Sequence, residues 1–371
     1  MKQQVIIANT SIYKLSIPLK EPFVTSLGVD TEAKNVLVKI ETSEGITGFG
    51  ECSPYMPING ESQETCFVIG HYFAHALKGT NALDIKKAIQ IMDAIIYGNY
   101  SIKSAFDMAL YDIAAQHAGV PLYQFLGGEK NKTITTDYTV SVGNVDAMVA
   151  QAIKIKEQGY PAIKVKLGKD GKQDVERIKA IRAAVGYDIP LRIDANQGWK
   201  VKEAIETLNA LSVYNIQHCE EPIARWKYSK LPKVKKKSPI PIMADECCGN
   251  HHDAKKLIDI KACDYFNIKL GKSGGIYNAL KMAKLAEAAN IHLQVGAMLE
   301  SRLATTSFAH FALCHPLIEH YDFDTALMHS LDVVTGGIEY KAGGVIEVPD
   351  VPGLGATIEN KWLEEMEKIN V

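Results

Sequence analysis

Ala162-Ile163-Lys164-Val165-Lys166 is a short apolar run interrupted by two lysines, and the runs that follow it decide the fold. Four more apolar runs end on a charge: Leu191-Arg192-Ile193-Asp194, Ile216-Gln217-His218-Cys219-Glu220, Pro241-Ile242-Met243-Ala244-Asp245 and Tyr265-Phe266-Asn267-Ile268-Lys269. From Lys166 the steps to Asp194, Glu220, Asp245 and Lys269 are 28, 26, 25 and 24 residues. One strand, one returning helix and two short loops need about that length, so the cadence predicts parallel βαβ units.

Extending the cadence backward adds Asp137-Tyr138-Thr139-Val140-Ser141; extending it forward adds His292-Leu293-Gln294-Val295-Gly296 and His320-Tyr321-Asp322-Phe323-Asp324. Eight such strands close a (β/α)8 barrel, whose active site gathers at the C-terminal strand ends. The stretches 145–158, 171–185, 201–211, 253–259 and 276–289 carry apolar residues at helical spacing and suit its outer ring. Asn144, Asp174, Asp253 and the Gly274-Gly275 pair mark helix entries or turns. Residues 1–125 do not keep the cadence. Strand patterns at 4–16, 33–42 and 46–52 precede helical ones over 62–118, so this region reads as an α+β module. Residues 126–328 hold the barrel, and the tail, 329–371, is expected to return to the N-terminal module.

Lys164 and Lys166 are two apart, so on a strand they share a side. Alone, such a pair suits the exposed side of an edge strand; Asp194, Glu220 and Asp245 at successive strand ends supply countercharge and favour the interior. Three carboxylates crowded at low dielectric repel one another. They are either unrelated helix N-caps or ligands of one divalent ion, and only the second explains the lysines. An all-oxygen set suits Mg2+, with Mn2+ acceptable, better than zinc. Lys269 sits roughly across the barrel from Lys166. Two lysines facing each other across a metal-bound carboxylate can remove a proton from one face of a carbon and return one to the other. Cation and neighbouring ammonium are expected to lower both lysine pKa values toward about 8. The cation would stabilise the enediolate formed on deprotonation.

With Lys164-x-Lys166, Asp194-Ala195-Asn196, Glu220-Glu221-Pro222, Met243-Ala244-Asp245-Glu246 and Asn267-Ile268-Lys269 before Gly274-Gly275, the chain resembles the enolase superfamily. The likeness is to its muconate-lactonizing-like subgroup and, within that, to dipeptide epimerases of the Ala-Glu type. The resemblance spans essentially the whole chain. It implies an α/β fold, a modified TIM barrel (β/α)7β without the helix after strand eight, capped by an α+β domain built from the N-terminal region and the C-terminal tail. It implies Asp194, Glu220 and Asp245 as Mg2+ ligands, Lys166 and Lys269 as acid/base catalysts, and Lys164 as a holder of the substrate carboxylate. Glu220, not Glu221, corresponds to the family ligand.

Asp322-x-Asp324 is either a surface turn or, as in the dipeptide epimerases it resembles, a receptor for a substrate ammonium. On the second reading the substrate is a free-amino L,L-dipeptide, epimerised at its C-terminal residue. The loops 22–28 and 53–60 would meet that residue's side chain, with Phe23 and Gly28 as contacts. Where Ala-Glu epimerases place an arginine in the first loop, this chain has Gly28, and no Lys or Arg lies between Phe23 and Lys34. An apolar or uncharged C-terminal residue is therefore expected. Thr139 and Met298, at strand ends, are further expected contacts, Glu300 a weaker one. His218 and Trp199 read as packing residues. N-acylamino-acid racemase, o-succinylbenzoate synthase and muconate cycloisomerase share the lysines and ligands but offer no ammonium to Asp322 and Asp324. A Schiff-base aldolase would need no metal.

The composition, 47% hydrophobic and 23% charged with formal net charge −2, gives no electrostatic reason to expect nucleic acid or a membrane surface as partner. The basic run 233–237 reads as a solvated helix end. No run is long enough for a membrane span, and the N-terminal apolar stretch is too short for a signal peptide, so a cytoplasmic location is expected. Seven cysteines without a CxxC pair read as reduced thiols. A homo-oligomer is allowed by the sequence, though no residue requires it.

Overall fold

The computed structural model describes residues 4–371. Three antiparallel strands open the chain: β1 (Ile7–Val24), β2 (Val29–Thr42) and β3 (Thr47–Cys52). β1 runs past the expected end near residue 16. Its register against β2 shifts between Pro18 and Phe23, which accommodates both prolines without ending the pairing. The extension delivers Phe23 and Val24 to the barrel mouth, where Val142 N donates to Val24 O at 3.0 Å.

Helices α1 (Gln63–Leu77), α2 (Ile85–Ile95) and α3 (Tyr100–Ala118) follow. In α3 every residue from Ser101 to Ala115 is buried, because the helix is sandwiched between the cap sheet and the barrel. Gly48 and Gly50 on β3 permit that approach: an added Cβ would lie 2.2 Å from Ala109 O and 1.9 Å from Ala105 O respectively.

Eight parallel strands then succeed one another in chain order: β4 (Tyr138–Val140), β5 (Ile163–Lys166), β6 (Leu191–Asp194), β7 (Ile216–Glu220), β8 (Ile242–Ala244), β9 (Tyr265–Ile268), β10 (His292–Gly296) and β11 (Ile318–Asp322). The seam between β11 and β4 is stitched by Asp137 N to Tyr321 O at 3.3 Å, Phe323 N to Thr136 Oγ1 at 2.9 Å and Thr139 N to Asp324 Oδ2 at 2.7 Å. Outside lie α4 (Val145–Glu157), α5 (Gly171–Val185), α6 (Val201–Leu211), α7 (Leu231–Lys237), α8 (His251–Asp259), α9 (Ile276–Ala289) and α10 (Arg302–Ala312). Asn144 caps α4 as expected, but Asp170 and Asn250 cap α5 and α8, leaving Asp174 and Asp253 one turn inside. Only the turn Thr325–Met328 follows β11, so the barrel is (β/α)7β.

Two buried carboxylates bolt cap to barrel by capping barrel helices. Glu51 of β3 accepts from Ser301 N at 2.8 Å, Ser301 Oγ at 2.6 Å and Ala304 N at 3.2 Å at the start of α10. Asp107 of α3 accepts from Ile276 N at the start of α9. Each carboxylate answers amides that a helix start leaves unpaired.

The tail divides. Val345 and Ile346 pair with Thr135 and Ile134 beside the barrel, whereas β12 (Lys368–Asn370) pairs antiparallel with Ser11–Tyr13 at the cap-sheet edge. Among the described residues no helix is long and apolar enough to cross a membrane. All seven cysteines are free.

Candidate active site

Parallel register sets the charges side by side: Lys166 is level with Asp194, and Asp194 with Glu220. Asp245 and Lys269 each stand one residue beyond the end of their strands, β8 and β9. Lys164 Nζ lies 2.8 Å from Glu220 Oε2, 2.7 Å from Asp322 Oδ2 and 3.5 Å from Asp194 Oδ2. Lys166 Nζ lies 2.7 Å from Asp194 Oδ2 and 5.8 Å from the centre of the Phe23 ring. Lys269 Nζ lies 3.0 Å from Asp245 Oδ2.

Asp194, Glu220 and Asp245 are all fully buried. Burial and the nearby Asp194 push the Glu220 carboxyl up to about 7 despite Lys164. Burial also opposes ionisation of Asp194 and Asp245, but Lys166 and Lys164 hold the first below its ordinary value, and Lys269 and Lys272 hold the second there. Burial would lower the Lys269 pKa too; Asp245 and Glu220 outweigh it and raise it. Lys164, beside three carboxylates, is likewise held charged.

Among the described residues no three carboxylate, imidazole or thiol groups converge closely enough to chelate an ion as they stand. The donor chemistry nevertheless fits a hard divalent cation. Three buried carboxylates disfavour one another's ionisation, and Asp245 Oδ2, paired with the Lys269 charge at 3.0 Å, accepts no well-directed hydrogen bond.

Supporting residues surround this set; sequence reasoning missed Lys272 and the role of Asn267, but had Glu221 facing away. Asn267 Nδ2 donates to Glu220 Oε1 at 2.7 Å. Lys272 Nζ donates to Asp245 O at 2.5 Å, to Asn267 O at 3.2 Å and to Asp245 Oδ1. Glu221, in the left-handed region at φ 35°, turns away and accepts from Asp245 N at 2.7 Å. Lys272 could have been found: it lies three residues past Lys269, one helical turn further on.

A cavity of about 420 Å3 opens between cap and barrel. Lys166, Lys269, Thr139, Asp322 and Asp324 reach it from the barrel, and Phe23 and Met298 line its wall. Asp324 Oδ2 is fixed by Thr139 N, while its Oδ1 is buried without a partner. Burial, then Asp322 and Asp137, push the Asp324 carboxyl up to about 8. Gly28 is not among the lining residues; Leu27 and Val29 on either side of it are. Lys34 does reach the rim, where Asp30, Glu32 and Glu64 outnumber it.

Lys164 lies beneath the cavity floor and Glu300 behind the wall, where its Oε2 accepts from Met298 N at 2.6 Å. His218 is buried below Glu220 and packs against His320 and Tyr265, with ring centroids 5.1 and 5.6 Å away. Trp199 Nε1 donates to Asp174 Oδ2 at 2.9 Å under the loop after Asp194.

Comparison with known proteins is consistent along the chain. Residues 7–127 match the mandelate racemase/muconate lactonizing enzyme N-terminal domain, and residues 147–362 match the enolase C-terminal domain-like family. A D-Ala-D/L-Ala epimerase of Cytophaga hutchinsonii is 56% identical over 98% of this chain and 99% of its own. An L-Ala-D/L-Glu epimerase of Clostridium acetobutylicum is 39% identical over 94% of this chain and 98% of its own. The crystal structure of a Cytophaga hutchinsonii dipeptide epimerase with Mg and the dipeptide D-Ala-L-Val superposes with a TM-score of 0.98 at 56% identity, covering 99% of this chain and 100% of that one.

Proposed function

The chain belongs to the enolase superfamily, in its mandelate racemase/muconate lactonizing enzyme branch, and on that premise we propose that it is a Mg2+-dependent dipeptide epimerase. One observation carries this reading: Lys166, Lys269, Asp322 and Asp324 all open onto a single cavity.

β5 and β9 stand four places apart in the eight-stranded order, so their lysines approach the substrate from opposite sides. One lysine takes the α-proton of the C-terminal residue and the other returns a proton to the opposite face. Asp322 and Asp324 receive the α-ammonium, and Lys164 keeps Asp322 and Glu220 in place while offering positive charge toward the substrate carboxylate. Thr139 orients Asp324 through its backbone amide. Mg2+, held by Asp194, Glu220 and Asp245, would supply the Lewis acidity that acidifies the α-proton.

Phe23, Leu27, Ile58 and Met298 give the epimerised side chain apolar walls, and the acidic rim opposes a glutamate. This supports an apolar or uncharged C-terminal residue, with Gly28 leaving that loop without a cation. The similarity to a D-Ala-D/L-Ala epimerase adds dipeptides led by D-Ala to the L,L candidates. An N-acylamino-acid racemase or a cycloisomerase would leave Asp322 and Asp324 without an ammonium to bind. Residues 1–125 form the cap, 126–328 the barrel and 329–371 the returning segment in this reading, and the enzyme acts in the cytoplasm.

The test is mass spectrometry of mixed L,L- and D-Ala-led dipeptides incubated with enzyme and Mg2+ in D2O. One deuterium gained at the C-terminal α-carbon of apolar dipeptides is expected. No uptake by any dipeptide would reassign the enzyme to an acylated amino acid or a lyase-type substrate.

A further inference from the structure

The cap wall of the cavity is the segment from Ser53 to Gly60, which carries Tyr55, Met56, Pro57 and Ile58 into the lining. Its ends are tied: Leu299 N donates to Ser53 Oγ at 3.3 Å, Asn59 Nδ2 donates to Ser101 Oγ at 2.5 Å, and the Tyr55 hydroxyl meets Asp30. The stretch between them has little of its own to hold its backbone. It forms one helical turn, Met56–Asn59, with no buried residue, and its N-cap Tyr55 makes no capping hydrogen bond through its side chain. Met56 is 68% exposed. A turn this short leaves its last carbonyls unpaired unless another element answers them.

The barrel answers them. Arg225 Nη1 donates to Pro57 O at 3.2 Å and also to Ile58 O. Among the described residues Arg225 forms no ion pair, so its side-chain charge is spent on these carbonyls. Arg225 is itself mounted stiffly, four residues past Glu221. Its backbone N donates to Gln197 Oε1 at 3.1 Å, and Gln197 N donates to Glu221 O at 2.8 Å. Gln197, Asn196 and Glu221 all sit in the left-handed region, at φ 69°, 39° and 35°, a costly arrangement held only by tight surroundings. The other cap loop is tied to the same place, since Ser26 Oγ donates to Asn196 O at 2.7 Å.

We propose that Arg225 is a positioning residue for this enzyme: it latches the Tyr55–Ile58 wall onto the barrel and thereby sets affinity and side-chain selectivity, not proton transfer. The kinetic part rests on the epimerase reading; the latch does not. Arginine suits the task because it is always charged and one nitrogen, Nη1, carries two N–H groups and so serves two neighbouring carbonyls at once. A lysine ammonium, with three N–H donors, keeps the charge and can serve the same carbonyls, as Lys132 Nζ serves His315 O and Ile318 O.

The test compares wild type with Arg225→Ala and Arg225→Lys. Chymotryptic cleavage after Tyr55, followed by mass spectrometry, reads the latch without any substrate. In Arg225→Ala that cleavage is expected to quicken by about tenfold, and KM for dipeptides with large apolar C-terminal residues to rise by about tenfold, as for loss of hydrogen bonds from a charged group. The kcat should stay within about threefold, and Arg225→Lys should recover most of both effects. Unchanged cleavage with unchanged KM overturns the proposal, as does a lowered melting temperature with unchanged KM, which would mark a merely structural residue. If wild type exchanges no dipeptide proton at all, the epimerase reading fails separately; cleavage after Tyr55 then decides the latch alone, faster cutting in Arg225→Ala supporting it and equal cutting overturning it.

Discussion

Asp324→Asn probes ammonium recognition most directly. Burial, then Asp322 and Asp137, push the Asp324 carboxyl up to about 8, well above the usual carboxylate range. At pH 7 such a group is ~90% protonated, since each unit between pH and pKa is a factor of ten. A dipeptide ammonium between Asp322 and Asp324 favours the ionised form. Binding at pH 7 should therefore release ~0.7–0.8 proton per dipeptide, the carboxyl's loss less the small uptake by the dipeptide amine. Raising the pH to 8 should tighten binding only ~2- to 3-fold, because the ionised Asp324 fraction climbs from ~0.1 to ~0.5 while the protonated fraction of the free dipeptide amine falls to about half. Above about pH 8 the gain ends, because the dipeptide's own amine loses its proton. In Asp324→Asn the amide oxygen can still accept from Thr139 N, but the charge is gone. Affinity should fall ~10- to 100-fold, the worth of a hydrogen bond to a charged group, and proton release should vanish. The assay is titration calorimetry with Lys269→Ala protein, which should bind without turning over, in buffers of different ionisation heat. Absence of proton release, or an Asp324→Asn affinity within twofold of the parent, would refute this role.

Lys166→Ala and Lys269→Ala should each cut epimerisation by ~10²- to 10⁴-fold with unchanged circular dichroism; epimerisation at the parent rate in either would remove that lysine from the chemistry. Gly28→Arg should improve Ala-Glu relative to Ala-Val by ~10-fold or more, because a Cβ there meets nothing nearer than the Tyr55 hydroxyl at 3.6 Å and a cation would reach the acidic substrate side chain. Competition assays with both dipeptides read the ratio, and an unchanged ratio counts against that loop as the selectivity wall. Mg2+ should raise the melting temperature of the parent in a concentration-dependent way and fail to do so in Asp245→Asn, whereas equal shifts in both would place the ion elsewhere. Phe106→Ala should cost ~3–5 kcal/mol in denaturant unfolding, since Phe106 is fully buried against Phe73 in the cap core; a loss below 1 kcal/mol would show that the site repacks.

The barrel was legible because its signal is local and repeated. Each strand is a short apolar run and each helix keeps its 3.6-residue period, so elements as separate as Ile163–Lys166 and Ile276–Ala289 declare themselves without reference to partners. The cap was less so. The reach of β1 to Val24 depends on a register shift opposite β2, and no property of Pro18 or Pro22 announces it. Cap residues slipped by a turn even where the helix start itself was placed correctly: Asp170, not Asp174, caps the helix Gly171–Val185.

The amino-acid sequence by itself determined the strand order, the depth at which Lys166, Asp194 and Glu220 lie, and the absence of a cation in the loop around Gly28. These follow from spacing and alternation, which the chain carries along its own length. Only the tertiary structure decided which charge meets which. It set Lys164 between Glu220 and Asp322, turned Lys272 onto Asp245, and closed the barrel seam through Asp324. It also brought Arg225 across to the carbonyls of Pro57 and Ile58. Those pairings join residues far apart in the chain, and hydrogen bonds and ion pairs depend on distance through space rather than along the sequence, so no local pattern encodes them.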